Sequence, residues 1–216
     1  TENLHRIELD EQQRKLYLAA VVDAREKLRA AKPEDKMAVF AVLMRLREIC
    51  CDPRLVADNW DGGSAKLDAC MELVTAAVEG GHRILLFSQF TSMLELLAKR
   101  LDEAGVSHFT LQGSTPKPVR AELVRRFNSG EADVFLISLR AGGTGLNLTA
   151  ADIVIHYDPW WNVAAQNQAT DRAYRIGQRN PVQVYKLIAQ DTIEEKIVEL
   201  QQAKQDLAET VTGSAD

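Results

Sequence analysis

The stretch "VFLISLRAGGTGLNLTAADIVIHY", residues 134 to 157, decides the fold class. It contains two continuous runs of apolar and β-branched residues, at 134–138 and 153–157, with a glycine-rich segment between them. Runs that are apolar at every position are typical of strands buried on both faces of a parallel sheet. Similar runs occur at 83–88, 108–113 and 182–188.

Amphipathic stretches with helical spacing separate these runs, at 66–79, 92–104, 117–128, 162–175 and 192–208. Strands that alternate with helices predict an α/β fold, built as a doubly wound parallel sheet with right-handed crossovers. Because ligands bind at the carboxyl ends of the strands in such a sheet, the segments that follow the strands are the ones to inspect for function.

The first 60 residues show a different pattern, with two helices predicted from about Asp10 to Ala31 and from Asp35 to Cys51. Their apolar stripes consist of Tyr17, Val21, Ala24 and Leu28, and of Val39, Leu43, Leu46 and Cys50. Together the helices form an αα-hairpin that must pack against something else. A glycine-rich break follows at 59–65. We therefore predict a lead-in and helical hairpin over 1–60, an α/β lobe over 61–191, and a last helix with a tail over 192–216.

The composition is that of an ordinary globular protein, with 216 residues of which 46% are hydrophobic and 26% charged. No apolar run approaches the ~18 residues that a membrane helix needs, and no signal-peptide pattern opens the chain. The chain begins at Thr1 rather than Met, as expected of a piece of a longer protein. Three cysteines without a C-x-x-C spacing are interpreted as reduced thiols of a cytosolic-type protein, with neither a disulfide framework nor a zinc site.

The net charge of −5 argues mildly against nucleic acid binding, because the phosphate backbone favours a basic surface. The positive charge is unevenly spread, however. Its two clusters are Lys117, Arg120, Arg125 and Arg126, and Arg172, Arg175 and Arg179.

Four polar or glycine-containing segments follow four of the predicted strands: "SQFTS", "GSTPK", "SLRAGGTGLN" and "DPWWN". All four are expected at one edge of the sheet. The glycines at 142, 143 and 145 can shape a backbone nest for an anion, although a plain tight turn explains them too. No G-K-[ST] follows, so this loop is not a Walker A loop.

Two further motifs have both a functional and a structural interpretation. "QGST", residues 112–115, offers hydroxyls and amides to a phosphate, or a helix N-cap by Ser114 or Thr115. Trp160 and Trp161 are of a type that stacks on bases, but we favour a plug between sheet and helix, with one ring left for a partner surface.

In "QATDRAYRIGQR", residues 168–179, Arg172 and Arg175 lie three residues apart and so share a helix face. Their like charges repel unless an anion lies between them, or unless both are simply solvated. The sequence contains no Walker A lysine, no strand-terminal D-E pair for Mg²⁺ and no credible nucleophile–histidine pair. If the arginines bind a phosphate, the main nucleotide cradle must come from elsewhere.

At this point the residues resemble a known family. "LLFSQFTSML", "LQGST", "ISLRAGGTGLNLTAADIVIHYDPWWN" and "QATDRAYRIGQ" together resemble the second, C-terminal RecA-like lobe of the Swi/Snf family of ATP-dependent double-stranded DNA translocases, in helicase superfamily two. "IELDEQQRKLY" and "LREICCDPRLV" look like the family's lead-in, and "DTIEEKIVELQQAK" looks like its closing helix. The likeness spans about residues 7 to 207.

The resemblance implies roles for particular residues. Arg172 and Arg175 would be catalytic arginine fingers that reach the γ-phosphate of ATP held by a first lobe. The ATP-contacting set would be Gln168, Gly145, Arg172 and Arg175. The DNA-contacting set would be Ser88, Gln89, Gly113, Ser114, Thr115, Gly142, Gly143, Thr144 and Asn147, and residues 10–51 would be the lobe's helical protrusion. Tyr174, Val163, Gln166 and Gln112 stand where the family usually has His, Pro, an acidic residue and Asp.

The implied function is that of a C-terminal motor lobe of a DNA translocase or remodelling ATPase. ATP with Mg²⁺ would be held mainly by the missing first lobe, so the isolated chain would bind no cofactor by itself and be inactive. Its partners would be the double-stranded DNA backbone, without sequence preference, and the first RecA-like lobe of the same parent chain, with no membrane. The location would be cytoplasmic (nucleoid) in a bacterium and nuclear in a eukaryote. Two alternatives stay open: a non-catalytic RecA-like docking module, and a strand-separating superfamily-two helicase lobe.

Overall fold

The computed structural model of the protein describes residues 2–138, 141, 146–171 and 181–213. Its strands are β1 (Glu2–Ile7), β2 (Ile84–Ser88), β3 (His108–Leu111), β4 (Val134–Ser138), β5 (Ile153–His156) and β6 (Gln183–Ala189). They form one sheet in the order β1-β6-β5-β2-β4-β3, and every pairing is parallel. The predicted α/β fold with a parallel sheet is confirmed.

The helices lie close to their predicted positions. They are α1 (Glu11–Ala30), α2 (Lys36–Cys51), α3 (Ala65–Glu79), α4 (Thr91–Glu103), α5 (Lys117–Asn128), α6 (Val163–Asp171) and α7 (Ile193–Gly213), with a short 3₁₀ turn at Pro53–Leu55. The last four residues of the helix predicted at 162–175 lie outside the described part of the chain. Within that part, no helix is long and apolar enough to cross a membrane.

Both faces of the sheet are covered, as the apolar strands predict. In β2, Ile84 and Leu86 pack on the side of α3 and α4, whereas Leu85 and Phe87 pack on the side of α5 and Trp160. Successive residues of a strand point to opposite faces, so a strand between two helical layers must be apolar at every position.

Strand β1 was not predicted from the sequence. Its residues "ENLHRI" are mostly exposed, and the strand lies at the edge of the sheet, where it pairs with β6 from Glu2 opposite Val184 to Ile7 opposite Ala189. Edge strands often carry charged and polar residues, so the apolar pattern that marks a central strand is absent here. The lead-in therefore shares the sheet of the α/β lobe, and the division near residue 60 stays a prediction.

The helical hairpin of α1 and α2 packs on a third apolar cluster, which includes Leu9, Tyr17, Leu46 and Ala189. The Tyr17 hydroxyl accepts a hydrogen bond from the backbone N–H of Ile193 at 2.8 Å, which joins the hairpin to α7. The predicted stripes are buried only in part. Val39 and Leu43 are half-buried and Leu28 is exposed, whereas Val42, Leu46, Ile49 and Cys50 form the buried face of α2.

A buried ion pair joins α3 to α7. The Lys66 ammonium bonds to the Glu194 carboxylate, neither side chain has any exposed surface, and the Glu194 carboxylate also accepts from the N–H of Ala189 at 2.8 Å. Burial alone lowers the pKa of Lys66, but Glu194 together with the neighbouring Cys51 opposes this, so the pKa of Lys66 is raised, while burial raises the pKa of Glu194 against the effect of Lys66. The pair therefore keeps a charged lysine in the core.

The three cysteines are all buried and free, which agrees with the interpretation of reduced thiols. Burial raises the pKa of Cys70 to about 12, so this thiol is protonated at neutral pH.

Candidate functional site

The predicted site segments meet at one edge of the sheet. Strands β5, β2, β4 and β3 are neighbours and run parallel, so the loops that follow them emerge side by side. This confirms a shared edge for the described parts of the polar segments, which after β4 are Ala141 and residues 146–147 only. Residues Arg172 and Arg175, and the motif residues Gly142, Gly143, Thr144 and Gly145, lie outside the described residues, and their predicted roles stay predictions.

Ser88 ends β2 and lies below the surface. Its side chain is fully buried, its hydroxyl donates to an Asp158 oxygen at 2.5 Å, and it accepts from the N–H of Phe90 at 3.1 Å. Burial raises the pKa of Asp158, while the Ser88 hydroxyl opposes that rise. In this arrangement Ser88 links the loops after β2 and β5, which disfavours a direct contact of its side chain with DNA.

Gln89 is half-buried, and its side chain bonds within the protein. Its amide oxygen accepts from Arg47 at 2.5 Å, its amide nitrogen donates to the Pro159 carbonyl at 3.2 Å, and its backbone N–H donates to Asp158 at 3.1 Å. The predicted contact of Gln89 with DNA is untested, and the side chain as placed already has partners for both of its polar atoms.

The loop after β3 forms one wall of an open groove. The groove has a volume of about 820 Å³ and is lined by Gly113, Thr115, Pro116, Lys117, Arg120, Ala121, Val124, Leu146 and Asn147. It therefore brings together three residues of the predicted DNA set, Gly113, Thr115 and Asn147. Ser114 is exposed in the same loop.

Local hydrogen bonds fix the shape of this loop. The Thr115 hydroxyl accepts from the N–H of Gln112 at 3.1 Å, and Arg120 donates to the carbonyls of Thr115 and Gly113, each at 2.8 Å. The alternative of an N-cap by Ser114 or Thr115 is wrong, because Pro116 occupies the cap position of α5 and no side chain caps the helix. Thr115 instead closes the turn before the helix.

Asn147 is exposed between two buried leucines, Leu146 and Leu148, which anchor the chain beneath it. Its carbonyl accepts from the side chain of Asn128 at 2.8 Å, which ties this segment to the end of α5. The exposed Asn147 side chain thus lies on a braced backbone at the groove.

Gln168 is exposed on α6, and two contacts on the inner side of this helix hold it in place. The His156 ring lies 3.1 Å from the Thr170 hydroxyl, and Gln166, which is buried, accepts from Gln201 at 3.3 Å. Burial lowers the pKa of His156 to about 3, so the ring is neutral at physiological pH.

The two tryptophans differ in burial, as we expected. Trp160 is buried and packs edge-on against Phe87 and His156, whereas Trp161 is only half-buried. Trp160 is therefore the plug between sheet and helix. Trp161 keeps part of its ring at the surface.

Sequence reasoning missed Arg47 and Asp158. Asp158 lies two residues after β5, so its place near the strand end was a signal that could have found it. Arg47 lies in a helix of the hairpin, far from the site in sequence, and nothing in the local pattern marks it as buried. No group of three or more His, Cys, Asp or Glu residues that could hold a metal ion occurs among the residues that the structure describes.

An all-parallel sheet with its site loops gathered at one edge is common to doubly wound α/β domains, and comparison with known proteins identifies which kind this one is. The family model for the helicase conserved C-terminal domain matches residues 65–177. A putative ATP-dependent helicase/translocase of Bacillus subtilis, YwqA, is 40% identical over 215 residues, which is 96% of this chain and 23% of that protein. The chain spans about a fifth of the length of the curated relatives that it matches.

Two solved structures from Sulfolobus solfataricus have the same fold. The SWI2/SNF2 ATPase core in complex with dsDNA is 31% identical with a TM-score of 0.84, and the alignment covers 100% of this chain and 46% of that one. The isolated SWI2/SNF2 ATPase C-terminal domain is 28% identical with a TM-score of 0.80, covering 94% of this chain and 86% of that one. The chain belongs to the helicase conserved C-terminal domain family, within which it is a C-terminal RecA-like lobe of the Swi/Snf type.

Proposed function

We propose that this chain is the C-terminal motor lobe of an ATP-dependent double-stranded DNA translocase, acting with a first RecA-like lobe of the same parent protein. The groove at the carboxyl edge of the sheet carries the proposal, because it places Gly113, Thr115 and Asn147 beside Lys117 and the first turn of α5. A similar protein is described as a helicase/translocase, and a similar core was solved with dsDNA. We expect the protein in the nucleoid if it comes from a bacterium and in the nucleus if it comes from a eukaryote.

DNA would be held through its phosphates at this groove. The first turn of α5 has no side-chain cap, so the amides of Lys117 and Val119 are available to an anion although Pro118 has no N–H, and the exposed Lys117 side chain adds a positive charge. Arg125 and Arg126, further along α5, are less suited, since Arg125 pairs with Glu122 and Arg126 with Glu131. Contacts of this kind position DNA without reading its sequence.

A substitution in α5 tests this contact in the two-lobed parent. Lys117→Ala should weaken binding equally for two duplexes of unrelated sequence and reduce the slope of log affinity against log salt by about 1. Arg125→Ala is the matched control, because Arg125 on the same helix is already paired with Glu122. Fluorescence anisotropy over a salt series measures both. Equal effects of the two substitutions, or none from Lys117→Ala, would contradict the proposed groove contact.

The nucleotide would be shared between the lobes. ATP with Mg²⁺ supplies the γ-phosphoryl group and would be held mainly by the first lobe. The one described residue of the predicted ATP set, Gln168, is exposed on α6 and free to reach across a cleft. Arg172 and Arg175 would stabilise charge that develops on the γ-phosphoryl oxygens, a task suited to the bidentate guanidinium group.

Substitution of these arginines tests the nucleotide role. In the two-lobed parent, Arg172→Ala or Arg175→Ala should lower ATP turnover by on the order of 10³ or more, with little loss of DNA affinity. Arg125→Ala serves again as the control. Near-normal turnover in both variants would exclude the arginine-finger role. The isolated chain should show negligible ATPase activity and only weak, salt-sensitive DNA binding.

A further inference from the structure

Arg47 on α2 is a cation in the protein interior. Its residue is 1% exposed, and within the described residues no carboxylate lies at ion-pair distance from it. A buried guanidinium without an ion-pair partner is costly, so its position calls for an explanation. The nearby buried carboxyl of Asp158, whose pKa is raised by burial and lowered in part by the Arg47 charge, offsets some of that cost.

Arg47 joins the helical hairpin to two loops of the candidate site. One of its terminal nitrogens donates to the Gln89 amide oxygen at 2.5 Å and to the Pro159 carbonyl at 3.1 Å. Gln89 in turn donates to the same Pro159 carbonyl at 3.2 Å. The three groups form a closed triangle between α2, the loop after β2 and the loop after β5.

Two aromatic rings complete the surroundings of this side chain. The guanidinium carbon lies 5.5 Å from the centre of the Phe90 ring and 5.8 Å from that of Trp161. A guanidinium can contact rings with its face while its edge donates hydrogen bonds. Both bonds to oxygen come from one terminal nitrogen, the other terminal nitrogen contacts the Met44 sulfur at 3.5 Å, and Nε has no hydrogen-bond partner among the described residues. Arg47 therefore contacts both loops through one terminal nitrogen and two rings.

We propose that Arg47 is a positioning residue that holds the loops after β2 and β5 in a fixed relation to each other and to the hairpin. It acts through Gln89, whose side chain is turned inward as a bridge. The function of this bridge rests on the proposed DNA-dependent ATPase activity, because the two loops belong to the edge that carries the proposed DNA and nucleotide contacts. Arg47 thereby couples the hairpin to that edge, together with the Tyr157 hydroxyl, which donates to the Cys51 carbonyl at the end of α2 at 2.7 Å.

The first test measures the loops without DNA, by amide hydrogen exchange of the 216-residue chain. In Arg47→Met, exchange in peptides covering 87–92 and 157–162 should rise on the order of tenfold to a hundredfold, the range for loss of a charged hydrogen bond, while the peptide covering β4 is unchanged. Arg47→Lys should raise exchange less than Arg47→Met, because a single ammonium can still donate to the Gln89 oxygen and the Pro159 carbonyl. The matched control is Arg45→Met, an exposed arginine on the same helix. Wild-type exchange in either loop of Arg47→Met overturns the proposal.

The second test uses DNA-stimulated ATP turnover of the two-lobed parent, below the temperature at which any variant unfolds. Arg47→Met and Gln89→Ala should each raise the DNA concentration for half-maximal stimulation, and the double variant should be no worse than the poorer single one. If the variants only reduced the fraction of folded protein, the maximal ATP turnover would fall and the DNA concentration for half-maximal stimulation would stay unchanged. If the effects of the two substitutions were additive, Arg47 would not act through Gln89. Either result overturns the positioning role. If wild-type parent shows no stimulation by DNA, the proposed function fails, and Arg47 is then judged by the exchange experiment alone.

Discussion

The buried pair of Lys66 and Glu194 offers a stability test whose size follows from the structure. Lys66→Met leaves the Glu194 carboxylate buried with one backbone N–H donor, and its second oxygen has no hydrogen-bond partner among the described residues. Removing one member of a fully buried ion pair costs roughly 3–5 kcal/mol. That is a large part of a domain stability of about 5–15 kcal/mol.

The double variant Lys66→Met/Glu194→Gln removes both charges. The glutamine oxygen can still accept from the Ala189 N–H, so no charged group is left in the core. Replacing both members of a buried pair is often close to neutral. The double variant should therefore be more stable than Lys66→Met, with a free energy of unfolding that is larger by about 2 kcal/mol or more.

Urea unfolding of the 216-residue chain, followed by circular dichroism, measures these differences. At about 2–4 °C per kcal/mol for a chain of this size, Lys66→Met should also lower the melting temperature by roughly 6–20 °C. Lys196→Met is the control. Lys196 pairs with Glu199 at the surface with side chains 74% and 66% exposed, and pairs of this kind contribute less than about 1 kcal/mol. A Lys66→Met cost no larger than that of Lys196→Met, or a double variant less stable than the single, would refute the reasoning.

Three further predictions concern buried groups. Because the pKa of His156 is lowered to about 3 in the folded state, this ring stays neutral at pH values below about 6.5, where it takes up a proton in the unfolded state. Stability should therefore fall between about pH 6.5 and 3, by up to about 1.4 kcal/mol per pH unit, and His156→Gln should flatten this slope. A thiol reagent such as DTNB should modify none of the buried cysteines in the native protein and all of them in guanidinium, so rapid native labelling would contradict their burial. Tyr17→Phe should cost about 1–2 kcal/mol in unfolding free energy, because the N–H of Ile193 at the start of α7 loses its acceptor, and an unchanged urea midpoint would show that water replaces the hydroxyl.

Burial of polar side chains was decided by the tertiary structure. Arg47 and Ser88 would both be expected at the surface from their residue types, yet packing encloses them and their hydrogen bonds compensate for the loss of water. The buried face of α2 was likewise fixed by its partners, because this helix is apolar over much of its surface and the pattern alone leaves its orientation weakly specified.

The sequence by itself determined the strands β2, β4 and β5 and the edge on which the site loops gather. A strand covered on both faces must be apolar throughout, and parallel strands end on the same side, so these features can be read locally. The tertiary structure decided strand β1 and the Arg47 bridge, because both depend on groups that are distant in sequence. It also decided the turn that Thr115 closes, because there two local hydrogen-bonding arrangements compete. Pairing of an edge strand and burial of a polar group depend on the folded chain, because the hydrogen bonds that stabilise them form only when the distant partners are in place.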